Sequence, residues 1–320
     1  MGDPMARAGT RLQRSARQRA AIRLLGAGLG VAAGLALLGL LWPEPDRSAQ
    51  EDGPPTAEAL AERPNRPITL LLIGSDADRT GSPSNGAAPA GPANSDGLLL
   101  VQISPEGPVQ VLSLPIEAAV RLPGDARPVA LGSLYQRGGP ALVASASAEL
   151  VNLPKGQPER YAVVPRTVLR ELVDRLGRVE LSPDRSMRYS DKSQKLSIEL
   201  DGGLQELSGR QVEQLLRFRD EEGGEERRRD RQQLTLETLL RQMGQSQQIR
   251  RLPDLVSELR SQADTNLTQG EALSLLSAAL IHNDSIRFER LQLKPALRPE
   301  IKLRELEAPS LQPRWPQAAL

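Results

Sequence analysis

Between Leu24 and Trp42 the chain runs for nineteen residues without a charge, directly after Arg7, Arg11, Arg14, Arg17, Arg19 and Arg23. As a helix this stretch is about 28 Å long, close to the roughly 30 Å of a bilayer's hydrocarbon core. Trp42 stands where an interfacial aromatic anchors the far end, and the Arg-rich side belongs in the cytoplasm. A cleaved signal peptide has a shorter apolar core followed by a small-x-small site; here Trp42-Pro43-Glu44-Pro45 follows instead. The expectation is a single-pass anchor in the cytoplasmic (inner) membrane. Residues 1–23 form a cytoplasmic basic segment, 24–42 the transmembrane helix, and everything after Pro43 is extracytoplasmic. Residues 43–65, rich in Pro, Glu, Asp and Ala and without apolar period, read as a disordered linker.

What lies beyond the linker has to form a water-soluble domain with an aliphatic core. The whole chain has only two Trp, three Tyr and two Phe, so bases or sugar rings find few aromatic platforms. Its 41 basic and 40 acidic residues leave a net charge of +1, which argues against a chain-wide nucleic-acid binder. With no Cys there is no thiolate nucleophile, and with His282 alone there is no multi-His metal site. His282 follows an apolar helix in a polar turn, which suits a surface helix end better than the base of a Ser-His-Asp triad.

From Ile68 onward, short apolar runs alternate with helical periods. Ile68–Gly74, Gly97–Ser104 and Val109–Leu114 read as strands, the last two joined by a hairpin connection at Pro105-Glu106-Gly107-Pro108. Ala77–Asn94, dense in Gly, Pro, Ala and Ser, reads as a surface loop. Pro140 opens a helix to Leu153. A strand at Tyr161–Val164, a helix at Arg166–Leu176 and a short strand at Val179–Leu181 follow. Ser208 with Gln211, and Thr268 with Glu271, form capping boxes for helices to Arg217 and Ile281. Further helices are expected near 227–243 and 252–261, and a last strand near 285–291. Strands interleaved with helices place the domain in the α/β or mixed α+β class. Residues 295–320 are Pro-rich and read as a tail.

Two groups of residues suggest chemistry. Asp76 follows the first strand and Asp96 precedes the second. If those strands pair, both carboxylates come to one sheet end, where two carboxylates plus phosphate oxygens and water suit Mg2+ or Mn2+. Ordinary turn residues are the alternative. The second group is RFRDEEGGEERRRDRQQ, residues 217–233. On an extended segment Arg217 and Arg219 share a face, and on a helix Arg228, Arg231 and Gln232 lie at i, i+3 and i+4. A turn at Gly223-Gly224 brings the two sets together as planar donor forks for a pyrophosphate. Interleaved Glu and Asp residues leave a solvated, salt-bridged helix start equally open.

Taken in order, these pieces resemble the LytR-CpsA-Psr family of envelope glycopolymer transferases. The matching stretches are LLIGSDADR (71–79), SDGLLLVQIS (95–104), VLSLP (111–115), LYQRGGP (134–140), YAVVPRTVLRELVDRLGRVEL (161–181), LDGGLQELSGRQVEQLLRFR (200–219), ERRRDRQQ (226–233) and NLTQGEALSLLSAAL (266–280). They cover about residues 66–294, the expected domain. The resemblance implies an α/β/α sandwich around a mixed central β-sheet, with a hydrophobic groove for a polyprenyl chain. It also implies a Mg2+-dependent phosphotransferase that moves a glycan phosphate from a polyprenyl pyrophosphate carrier onto an acceptor hydroxyl, usually on peptidoglycan. In that reading Asp76 and Asp96 hold the metal. Arg217, Arg219, Arg228, Arg231 and Gln232 bind pyrophosphate, with Arg217 and Arg219 catalytic. Glu225 stands where the family usually has Asp.

The chain departs from the family at two cations. The Arg-Asp pair after VLSLP is Ile116-Glu117 here, and a family Lys aligns with Ala130. Each lost charge-assisted bond is worth roughly 1.5–3 kcal/mol. The implied alternatives are therefore a working transferase, with Arg127 or Arg137 standing in, or a catalytically weakened polyprenyl-pyrophosphate-binding protein that modulates active paralogues. A DNA-binding regulator does not fit an external domain without a helix-turn-helix signal.

Overall fold

The computed structural model describes residues 55–82, 93–192, 196–219, 224–295 and 303–307. The expected anchor, the linker up to Pro54, most of the 77–94 loop, Gly223 and most of the tail lie outside the described residues. Among the described residues no helix is long and apolar enough to cross a membrane.

In chain order the strands are β1 (Ile68–Ser75), β2 (Ser95–Ile103), β3 (Gln110–Leu114), β4 (Ala119–Val120), β5 (Val129–Ala130), β6 (Arg160–Pro165), β7 (Val179–Leu181), β8 (Met187–Asp191), β9 (Leu196–Leu200), β10 (Gln205–Leu207), β11 (Asp264–Thr265) and β12 (Arg287–Arg290). The helices are α1 (Leu134–Leu150), α2 (Arg166–Leu176), α3 (Gly209–Arg217), α4 (Gly224–Met243), α5 (Ser246–Ile249), α6 (Leu252–Gln262) and α7 (Gln269–Ile281). Six strands form the central sheet in the order β11-β6-β1-β2-β3-β12. β1–β2, β2–β3 and β6–β11 pair antiparallel, while β1–β6 and β3–β12 pair parallel, so the sheet is mixed.

The period-2 alternation of the strands sorts their side chains onto two faces. Leu71, Ile73, Leu98, Leu100 and Leu112 point into one core layer, which Leu134, Val143 and Ala146 of α1 cover. Leu70, Val101 and Val111 point into the other, packed by residues of α2, α3, α4, α6 and α7. Three layers result, with helices on both sides of the sheet, as expected.

Local signals set the helix ends. Both capping boxes form: Ser208 with Gln211 at α3, and Thr268 with Glu271 at α7. Gly177, left-handed at φ 83°, closes α2. Gly209 meets α2 so closely that a Cβ there would lie 2.1 Å from the Arg170 carbonyl oxygen. That contact seats the first turn of α3 directly on α2.

Three expectations change in detail. The helix expected from Pro140 forms but ends at Leu150, and a helical turn from Leu134 precedes it across non-helical Gly138 and Gly139, the latter at φ 62°. The hairpin β8–β9 was not anticipated: its inward residues Met187, Ile198 and Leu200 are spaced among charged and polar ones. Residues 303–307, within the Pro-rich stretch, run beside the domain, with Arg304 bridging Ala118 and Leu306 bridging Leu293.

Arg160 on β6 grips Glu271 at the head of α7, with Nε to Oε1 at 3.1 Å. That guanidinium, and after it the Thr268 backbone N–H, hold the Glu271 carboxyl down at about 2. A depressed carboxylate stabilises the fold above its unfolded value and loses that contribution as pH falls through the folded one. Melting temperature should therefore drop between about pH 5 and pH 2, and drop less in Glu271→Gln, which keeps the reciprocal cap. Exposure of the pair limits the effect. Thermal melts across that window check it; identical slopes in the two proteins would refute the assignment.

Candidate functional site

The C-terminal ends of β1, β3 and β6 and the N-terminal end of β2 meet at one end of the sheet. Open α/β sheets commonly bind ligands beyond such strand ends. Asp76 lies just past β1, and its Oδ1 accepts the Asn94 N–H at 2.7 Å. Between Gly74↔Gly97 and Ser75↔Ser95 the register slips, leaving Asp96 as the extra residue of a bulge. Bulges re-aim side chains, and here Asp96 borders a cavity.

That cavity, about 240 Å³, lies between the sheet and helices α2, α3 and α4. Leu72, Leu99, Val164, Leu169, Leu216 and Leu239 give it an apolar wall, and Asp96, Arg217, Arg228 and Gln232 give it polar groups. Arg228 is 4% exposed and donates through Nη1 to the Asp96 carbonyl oxygen at 2.9 Å. The Gln232 amide stands over Gly97, where a Cβ would come 3.5 Å from its nitrogen. Arg217 ends α3, and its Nη1 lies 3.4 Å from Glu213 Oε1.

Arg231 and Arg219 sit differently. At about 100° per residue, positions 228, 232, 235 and 239 form one narrow stripe, and 231 falls some 60–80° to its side. The Arg231 guanidinium donates through Nη2 to the Phe218 carbonyl oxygen at 2.6 Å and lies 5.6 Å from the Phe218 ring centroid. It thus holds the segment that follows Arg217 and is absent from the cavity wall. Arg219 borders Gly224, with backbone and Cβ atoms 3.6–3.8 Å from where a glycine Cβ would stand.

Neither Ile116 nor Ala130 lines the cavity. Ile116 packs against the α1-side core, and its Cβ leaves only 2.9 Å to a Cβ on Gly132. Glu117 pairs instead with Arg229 of α4 at 3.2 Å. Arg127 is exposed, and Arg137 pairs with Asp125 at 2.8 Å. His282 follows α7, away from the cavity, and is half-buried rather than at the surface.

Four polar residues of the cavity wall escaped the sequence reading: Ser75, Arg166, Glu213 and Thr235. Glu213 is only 4% exposed and accepts from Arg166 Nη1 at 2.9 Å, from Arg170 Nε and from Arg217. Arg166 also donates to Asp78. The i,i+4 spacings of Glu213 with Arg217 and of Arg166 with Arg170 are visible in the sequence. The crossing of α2 and α3 that joins the pairs is not.

A divalent cation at this end of the sheet would have to be shared with a bound phosphate. Among the described residues no three carboxylates or histidines cluster, so a closed protein cage is absent. Mg2+, however, commonly uses one or two carboxylates plus substrate phosphates. The Asp96 carboxylate makes no hydrogen bond or ion pair to the described residues, which leaves it available as such a ligand.

The LytR_cpsA_psr family model matches residues 45–312 of this chain. Regulatory protein MsrR of Staphylococcus aureus is 25% identical over 203 residues, 62% of this chain. The chain spans about half the length of the curated relatives it matches, 56% in the case of MsrR. Bacillus subtilis TagV aligns with TM-score 0.63 at 18% identity, covering 78% of this chain and 94% of its own. A transcriptional regulator from Enterococcus faecalis gives TM-score 0.60 at 22% identity, covering 77% and 84%. TagT bound to LIIa-WTA gives 0.58 at 20%, covering 77% and 87%. At these identities the structural likeness bears on fold alone.

Proposed function

The chain belongs to the LytR-CpsA-Psr family, a cell-envelope group, and from that premise we propose that it is a membrane-anchored transferase. Its substrate would be a phosphoglycan on a polyprenyl pyrophosphate carrier, and its acceptor a hydroxyl of peptidoglycan or another envelope polymer. The observation that carries the reading is one cavity joining an apolar wall to Arg217, Arg228 and Gln232. A lipid pyrophosphate has the same two-part chemistry. That the related fold of TagT is seen bound to LIIa-WTA supports treating this cavity as a ligand site. The anchor at 24–42 would hold the domain outside the cytoplasmic membrane, within reach of a membrane-borne carrier.

In the reaction, the acceptor oxygen bonds to the glycan-side phosphorus, and the bond from that phosphorus to the bridging oxygen breaks. Polyprenyl phosphate leaves with the electron pair, and the hydroxyl proton passes to solvent. Arg217 and Arg228 bind and orient the pyrophosphate and stabilise negative charge on its oxygens, a contribution that grows in a site shielded from water. Arg231 acts indirectly by fixing the Phe218 backbone. Asp76 and Asp96 would hold Mg2+ or Mn2+, which when bound neutralises phosphate charge.

Calorimetry tests the metal assignment. Mg2+ affinity should rise with pyrophosphate present, and Asp96→Ala should abolish that rise. Equal affinities in both proteins would remove Asp96 from the site. A second reading, a polyprenyl-pyrophosphate-binding protein with weakened catalysis that modulates active paralogues, rests on the family cations replaced by Ile116 and Ala130, although both positions stand outside the cavity wall. Tight binding without release of polyprenyl phosphate in a single-turnover assay would select it.

A further inference from the structure

Two residues of the cavity wall each carry a buried polar atom without a hydrogen-bond partner: Arg166, at Nε, and Thr235, at Oγ1. The Arg166 side chain is 10% exposed, and Thr235 is 2% exposed. Neither group is loosely placed. Arg166 is clamped by Glu213 at 2.9 Å and by Asp78, and its backbone N–H donates to the Ala77 carbonyl at 3.2 Å. Thr235 continues the stripe of Arg228 and Gln232 along α4. Both residues line the same cavity as Arg217, Arg228 and Gln232. Arg166 directly follows Pro165, which pairs with Ser75 one residue before Asp76, and Thr235 is one turn beyond Gln232.

Folded proteins rarely leave buried donors unpaired, because an unmade bond forfeits the solvation the group had in water. A hydrocarbon chain lying against this wall supplies no acceptor. The leucines around these two residues need nothing more than hydrocarbon, but the N–H and the hydroxyl do. Arg166 also differs from a diffuse counter-ion. Two carboxylates already face its terminal nitrogens, so the Nε–H is a directed donor of fixed orientation.

We propose that Arg166 Nε–H and the Thr235 hydroxyl are ligand contacts, donating to non-bridging oxygens of the phosphoryl group that carries the polyprenyl chain. They would make the cavity selective for the junction of hydrocarbon and phosphate, as well as for the chain itself. This inference rests on the polyprenyl pyrophosphate reading given above.

The test uses the full chain in detergent with farnesyl pyrophosphate as the probe, read by calorimetry and by thermal melts without ligand. Thr235→Val keeps the shape and removes the hydroxyl. It should bind about tenfold more weakly, the scale of one lost bond to a charged group, while melting at or above the wild-type temperature. Arg166→Lys keeps the charge, removes the Nε–H and should lose a similar factor. Farnesyl monophosphate should show the same losses, because the contacts are assigned to the phosphate next to the chain. Arg217→Ala reports on the parent reading. If it loses affinity while Thr235→Val and Arg166→Lys bind as wild type does, the two contacts are overturned and the site stands. If wild type fails to bind the probe, or Arg217→Ala binds as wild type does, the parent reading fails and this inference falls with it. Should Arg166→Lys not fold, Thr235→Val decides alone.

Discussion

Arg217→Ala combined with Arg228→Ala lowers affinity for a polyprenyl pyrophosphate by at least about a hundredfold. Each guanidinium borders the same cavity, and a hydrogen bond to a charged group is worth roughly 1.5–3 kcal/mol, about ten- to a hundredfold each. The two border one cavity, so their effects need not add exactly. Arg228 has a second task, since its Nη1 supports the Asp96 carbonyl at 2.9 Å. Arg228→Ala should therefore also weaken Mg2+ binding, whereas Arg217→Ala alone should not. Arg231→Ala should cost less than either, because its guanidinium holds the Phe218 carbonyl rather than bordering the cavity. Arg227→Ala, also outside the cavity wall, should change affinity by less than about threefold. Calorimetry with farnesyl pyrophosphate at two salt concentrations checks the series. A double variant within threefold of wild type would return the 217–233 segment to a salt-bridged helix start without a ligand.

The two Asp residues and the Arg228–Gln232 stripe were legible because each depends on one local rule. Asp76 and Asp96 flank adjacent antiparallel strands, so strand pairing alone brings them to one sheet end. The helical period places Gln232 beside Arg228, and the same period, applied more strictly, turns Arg231 away. Core residues were legible for a similar reason: a period of two assigns Leu70 and Leu71 to opposite layers.

What stayed hidden depends on contacts between distant segments. Gly138-Gly139-Pro140 reads as a helix start and is one, but the separate helical turn before it, which seats the buried Leu134 against the core, carries no comparable signal. β8 and β9 have too few apolar residues to announce themselves, and they form because Met187, Ile198 and Leu200 have a core to cover. The Arg166–Glu213–Arg217 chain requires α3 to lie on α2. Gly209, which permits that approach, looks like any helix-start glycine until its distance to Arg170 is known.

The same buried chain yields the largest stability effect in the molecule's functional end. Glu213→Ala should destabilise the domain by about 3 kcal/mol or more, since removing one partner of a buried ion pair leaves charges that water cannot fully reach. The three guanidiniums around Glu213 differ in their means of recovery. Arg170, with its side chain 38% exposed, can rehydrate, and Arg166, 10% exposed, retains only Asp78. Arg217, 16% exposed, borders both Glu213 and the ligand space, as Arg166 does. For a domain of this size, about 3 kcal/mol corresponds to a fall of roughly 6–12 °C in melting temperature. Glu213→Gln keeps an acceptor and nearly the same volume, so it should cost about half as much. It should also bind farnesyl pyrophosphate more tightly per folded molecule, because the carboxylate that neutralises Arg217 is gone. Stability and affinity therefore move in opposite directions in that variant, which a purely structural salt bridge would not produce. Thermal melts and calorimetry on the same preparations read both quantities. Lower stability with unchanged affinity would confine Glu213 to holding α2 and α3 together, and unchanged stability in Glu213→Ala would contradict the buried cluster itself.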